Sequence, residues 1–167
     1  MTFRMERPLD EVDWRILDEL QSDGRQSLKE LGRRVNLSAP AVAERVRRLE
    51  ESGVITGYRA QVDPRRTGYP VTAFVEMRCL PHKCLLKTSR AEDYPEVVEV
   101  HKVSGAHCAL VRVRAASLEH FEGIQERLGQ HGEVRSTVVL STQYEGRPVS
   151  PPDDDFLRAT NSAGWSA

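Results

Sequence analysis

The sequence predicts an α+β fold in two parts: three short N-terminal helices, then a four-stranded antiparallel sheet carrying two helices on one face. Two observations predict it. Apolar residues recur every three to four positions up to Gly53 and then alternate with polar ones from Val71 onward, so the period changes from that of a helix to that of a strand. Between the two regimes lies a stretch of turn formers that includes "DPRR" and Gly68. At 167 residues the chain suits one medium domain or two small ones, and the change of period favours two.

In the first half, Val12, Ile16, Leu17 and Leu20 share one helical face after Asp10, a residue able to cap the first turn. Gly24 punctuates. Ser27, Leu28, Leu31 and Val35 then outline a second short amphipathic helix, closed by "NLS" at 36–38. Ser38 is a good N-cap for a third helix, and Pro40 in its first turn removes only an N–H that lacks a helical partner anyway. Along that helix Val42, Val46 and Leu49 form a narrow buried stripe, while Glu44, Arg45, Arg47 and Arg48 point elsewhere. Gly53 suits the position just past its end. The next residues, "VITGYRAQVDPRRTGYP", read as a β-wing of two short strands leading into a linker at 63–70.

In the second half, Val71, Ala73, Val75 and Met77 alternate with Thr72, Phe74, Glu76 and Arg78, the pattern of a strand. Residues 85–94 are weakly helical and Pro95 breaks them. "VVEVHKVSG" and "HCALVRVRA" read as two strands around a turn at 104–107. Leu118, Phe121, Ile124 and Leu128 mark a helix capped by Ser117 and stopped by Gly132, and 134–142 supply the last strand. The order βαββαβ is the split βαβ, or ferredoxin-like, sandwich. The expected division is 1–62 for the helical unit with its wing, 63–70 for the linker, 71–145 for the sandwich and 146–167 for a polar, mobile tail.

Charge narrows the function. Lys and Arg number 24 against 25 Asp and Glu, so a uniformly basic coat is excluded and only local patches matter. The first residues, "MTFRMERPLDEVD", lack the apolar core of a signal peptide, and no apolar run approaches the ~20 residues of a membrane span, so a cytoplasmic protein is expected. Cys79, Cys84 and Cys108, an odd number without an export signal, read as reduced thiols. Between Arg25 and Leu49, however, seven cations face only Glu30 and Glu44. A cation-edged helix, tight turn and second helix, with small residues Ala39, Ala41 and Ala43 opening the last helix, suits double-stranded DNA: one helix end enters the major groove while neighbours hold phosphates.

These segments resemble the Lrp/AsnC (feast/famine) transcriptional regulators over about 9–144, through "LDEVDWRILDELQSDGR", "LGRRVNLSAPAVAERVRRLEESGVITGY", "YPEVVEVHKVSG" and "STVVLS". The resemblance implies an N-terminal winged helix-turn-helix, a hinge and a C-terminal αβ sandwich that senses a small effector, commonly an amino acid. It also implies homodimers that assemble further into tetramers or octamers. On DNA, a pseudo-palindromic operator is expected. Ser38 with Arg33 or Arg34 would meet phosphates, and Ala39, Pro40, Glu44, Arg45, Arg47 and Arg48 would lie toward base edges. For the effector, the similarity points to the loop of Ser104, Gly105, Ala106, His107 and Cys108, with a second wall from Arg135, Ser136, Thr137 and Val138. Members usually carry an acidic residue at or near the position of Cys108, so His107 and Cys108 predict a weaker hold on an α-ammonium group.

Two rival readings remain. "CLPHKC", with His82 between Cys79 and Cys84, suggests a metal- or thiol-responsive regulator, although its spacing matches no established ligand pair and lone cysteines in a sheet usually serve as small hydrophobes. No metal or cofactor is therefore expected. His101 and His107 suggest a sirohaem-decarboxylase-like enzyme, which would have no evident need for the arginine-bearing third helix. Neither a Gly-rich phosphate loop nor a Ser/His/Asp arrangement is present, so no enzyme is expected.

Overall fold

The computed structural model describes residues 8–152, which divide into two compact units: 8–60 together with 144–152, and 61–143.

In the first unit three helices follow one another: α1 (Glu11–Ser22), α2 (Leu28–Val35) and α3 (Ala39–Glu51). Each starts where a short polar side chain can accept from the first turn. Asp10 accepts from the Asp13 N–H at 2.8 Å while Asp13 accepts from the Asp10 N–H at 3.2 Å, a reciprocal capping box. Ser27 and Ser38 cap α2 and α3 one way only, accepting from the Glu30 and Ala41 N–H groups. Ile16, Leu17, Leu31, Val35, Val42, Val46 and Leu49 are buried together, each contributing on the order of 1.5–3 kcal/mol through removal from water. The turn between α2 and α3 is tight. Asn36 adopts the left-handed conformation (φ 58°), and Gly32 lies so close to it that a Cβ would sit 2.6 Å from the Leu37 carbonyl oxygen.

The expected wing is corrected. Residues 56–63 form no strand, and a 3₁₀ turn, Pro64–Thr67, follows. A ladder needs a partner. Gly57 and the rigid Asp63–Pro64 step leave this segment too short and too irregular to fold back on itself. Of the expected tail, residues 153–167 lie outside the described residues. The described part is anchored at Val149, whose N–H donates to Gln21 Oε1 (2.7 Å) while its carbonyl accepts from Gln21 Nε2 (3.0 Å).

The second unit is a sheet of β1 (Val71–Cys79), β2 (Val97–Lys102), β3 (Ala109–Ala115) and β4 (Gly132–Val138) in the order β2-β3-β1-β4, all neighbours antiparallel. Ala73, Val75, Met77, Val111 and Val113 on one face pack on Phe121, Ile124 and Leu128 of α5 (Leu118–Gly129). On the opposite face, register places Glu76 between Leu110 and Arg135, and Phe74 between Arg112 and Thr137. A bulge at Val98 interrupts the edge strand β2.

Three boundaries differ from expectation. The first sandwich helix shrinks to one turn, α4 (Leu85–Thr88), with a 3₁₀ turn at Ala91–Asp93, because Ser89, Arg90 and Pro95 interrupt an already weak apolar pattern. The last helix ends at Gly129, not Gly132. Gly132 instead opens β4, where φ is 154° and a Cβ would approach the Arg78 carbonyl oxygen to 2.2 Å. β4 consequently begins two residues earlier than expected and stops at Val138. Among the described residues no helix is long and apolar enough to cross a membrane.

Candidate functional site

The helix-turn-helix edge is built by α2 and α3. Ser38 Oγ accepts from the Ala41 N–H, and no acidic residue occupies the first turn of α3, so its positive helix end is left uncompensated there. Pro40 is exposed, and Ala39 is half-buried and small, so the backbone at this end can come close to another surface.

The arginines of this edge sort into two environments. Arg33, Arg47 and Arg48 are exposed, with side chains 73%, 53% and 57% accessible. Arg33 and Arg34 both reach Glu30, and Arg34 also reaches Glu19 at 2.9 Å. Arg47 and Arg48 share Glu44, with Arg47 also on Glu51. Hydrogen bonds from Arg33 and then Arg34 hold the Glu30 carboxyl down at about 2, and those from Arg47 and then Arg48 hold Glu44 at about 2. These are water-exposed exchangeable pairs, which a phosphate can replace.

Arg45 differs. Its Nη1 lies 2.8 Å from Asp10 and 2.6 Å from Asp13, and its side chain is only 27% accessible. Hydrogen bonds to Asp10 and then Asp13 raise the guanidinium pKa. In this arrangement Arg45 clamps α3 to the capped start of α1: where base edges were expected, the group is turned inward by two carboxylates that the one-dimensional pattern left out of account.

At the end of the sheet, the hairpin joining β2 and β3 carries Ser104, Gly105 and Ala106 in the open, with His107 and Cys108 half-buried. Gly105 has φ 107°, where L side chains are strained. His107 Nδ1 lies 3.8 Å from Glu76 Oε2, and Glu76 pairs across the ladder with Arg135. The fold thus brings His107, Glu76 and Arg135 together on the open face, with Thr137 two residues along the same face of β4. Ser136 and Val138 alternate to the helix-packed face and do not join them. Glu76 is absent from the residues singled out by sequence. Its only signal was a carboxylate among the polar positions of an alternating strand.

Cys108 faces neither group. Its N–H and its thiol both donate to the Met77 carbonyl, at 2.8 and 3.2 Å, and its sulfur accepts from the Cys79 N–H at 3.2 Å. The sulfurs of Cys79, Cys84 and Cys108 lie within 4.8 Å of one another as free thiols, whereas His82, His101 and His107 stand outside this group. Burial first, and then the contact with Cys108, pushes the Cys79 thiol up to about 12, while the Cys79 hydrogen bond lowers that of Cys84.

Comparison with known proteins gives a consistent result. Residues 9–50 match the AsnC-type helix-turn-helix domain and residues 72–149 the Lrp/AsnC ligand-binding domain. The HTH-type transcriptional regulator LrpA of Mycobacterium tuberculosis is 37% identical over 150 residues, covering 88% of this chain and 100% of the relative. The feast or famine regulatory protein of M. tuberculosis, solved in complex with L-methionine, superposes with a TM-score of 0.78 at 36% identity, covering 86% of this chain and 100% of the other. A transcriptional regulator of Neisseria meningitidis in complex with L-methionine superposes with a TM-score of 0.72 at 25% identity, covering 85% and 96%.

Proposed function

The chain belongs to the Lrp/AsnC family and is a DNA-binding transcriptional regulator of that type; on that premise we propose that it binds a pseudo-palindromic operator as a homodimer and that a small effector, an amino acid or related metabolite, sets its DNA affinity or its assembly. The observation that carries the DNA reading is the Ser38-capped start of α3, free of first-turn acids, together with exposed Arg33 on α2 and exposed Arg47 and Arg48 further along α3. Ser38, Arg33 and Arg34 meet phosphates, while Ala39, Pro40, Glu44, Arg47 and Arg48 approach base edges of one half-site. Arg45 positions α3 rather than reading DNA. Half-sites are spaced by about one turn, or ~10 bp, and dimers associate further into tetramers or octamers. The protein acts in the cytoplasm and carries out no catalysis.

For the effector, the two L-methionine complexes among relatives support an amino acid. The loop 104–108 supplies one wall, and Arg135 with Thr137 supplies another. Glu76, a carboxylate 53% exposed beside His107, takes the ammonium-accepting part in place of an acid near Cys108. Ser136 and Val138 support the strand from behind.

The test is selection of genomic DNA fragments by the purified full chain, with and without a panel of amino acids that includes L-methionine. Enrichment of a shared two-fold sequence, with occupancy altered by at least one amino acid, is expected. A bound pool indistinguishable from the input sinks the DNA reading. An enriched pool that no amino acid alters sinks the effector reading alone.

A further inference from the structure

We propose that Cys79, Cys84 and Cys108 form a three-thiolate site for a soft monovalent cation, with copper(I) the ion whose coordination preference the donor set matches. Their sulfurs lie within 4.8 Å of one another, and they come from three different places in the fold: the end of β1, the start of α4 and the lead-in to β3. Chain spacing alone pairs only Cys79 with Cys84. The antiparallel pairing of β1 with β3 brings the third sulfur in, and the bonds from the Cys108 N–H to the Met77 carbonyl and from the Cys79 N–H to the sulfur fix it there.

The site is held from outside by His131. Its backbone carbonyl accepts from the Leu80 N–H at 2.8 Å, and its ring Nδ1 donates to the Lys83 carbonyl at 2.7 Å. The ring's other nitrogen meets the Tyr94 hydroxyl at 2.7 Å. Both ends of the short loop 80–83 are thereby pinned, and the loop returns Cys84 onto Cys79. Supporting hydrogen bonds of this kind orient metal ligands in known sites.

Donor type and number choose the ion. Thiolates select copper(I), zinc(II) and iron–sulfur clusters over hard cations. A structural zinc site is closed by four protein ligands, and among the described residues no histidine, aspartate or glutamate joins the three sulfurs. Three soft donors and no fourth suit a trigonal ion. On binding, three S–H protons pass to solvent as three sulfur–metal bonds form, and no electron changes hands.

The test uses the reduced, untagged full chain under anaerobic conditions. Copper(I) is added in competition with bathocuproine disulfonate, alongside parallel additions of zinc(II). One copper per chain is expected, with a near-ultraviolet thiolate-to-copper absorption. Cys84→Ser and Cys108→Ser should each weaken retention by more than ~100-fold, the upper range for loss of a merely supporting group. Circular dichroism and a denaturation midpoint show whether each variant keeps its fold, and Cys84→Ser, at the start of a one-turn helix, is the milder. Copper retained equally by wild type and by folded Cys84→Ser, or zinc held stoichiometrically where copper is not, overturns the proposal.

Discussion

Arg45 Nη1 lies 2.6 Å from Asp13 Oδ1, and Asp13 is only 8% exposed. The pair joins residues 32 positions apart on two helices, and the same nitrogen reaches Asp10, so cap and clamp share their carboxylates. Removing Arg45 leaves the buried Asp13 carboxylate without its guanidinium, which is the costly half of such an interaction. Arg45→Ala should destabilise the first unit by about 2–3 kcal/mol, read as a lower urea midpoint. A variant of wild-type stability with weakened operator binding would return Arg45 to the DNA surface.

Arg48, by contrast, is exposed and shares its acid with Arg47. Arg48→Ala should leave the denaturation midpoint unchanged. Operator affinity should fall by ~1–3 kcal/mol if the side chain reads a base, or more modestly and equally on all sequences if it meets phosphate, with the salt slope reduced by about one. Titrations of operator and unrelated duplex at several salt concentrations distinguish these outcomes. Unchanged binding removes Arg48 from the interface.

Gly32 is fixed by space. A Cβ there meets the Leu37 carbonyl oxygen at 2.6 Å, and backbone cannot yield as a flexible side chain does. Gly32→Ala should destabilise the first unit by about 1–3 kcal/mol and weaken DNA binding in parallel, since the α2–α3 turn must open. Full stability in urea would show that the turn has slack.

Glu96 supplies a pH test for the second unit. Burial alone would raise its carboxyl pKa, but its own N–H, Arg127 and His120 outweigh burial and the net shift is downward from 4.5. A lowered pKa in the folded state means that the stabilisation is complete above the unfolded value and is lost as pH falls through the folded one. Glu96→Gln should therefore be less stable than wild type by about 1 kcal/mol at neutral pH, with the gap closing as pH falls below 4.5. A gap independent of pH would mean that shape rather than charge holds α5 to the strand.

Local chemistry made much of the fold legible. Asp10, Ser27, Ser38 and Ser117 cap helices within three residues of themselves, and Ala73, Val75 and Met77 face the core by simple alternation. The misreadings are non-local. The segment 56–63 has strand-like residues but no strand partner among the described residues, and Gly132 serves a close approach to β1 rather than a helix stop. The candidate sites divide in the same way. Exposed arginines follow from helical spacing, whereas the inward turn of Arg45, the meeting of Glu76 with His107 and the convergence of Cys108 on Cys79 depend on which strands and helices become neighbours.

The bulge at Val98 has a further consequence. An outermost strand offers unpaired N–H and C=O groups as a template on which other chains can polymerise. In β2 the extra residue breaks that template near its start, and Glu99, His101 and Lys102 line the remainder with hydrophilic groups. Lateral growth into fibrils by pairing along this margin is thereby discouraged.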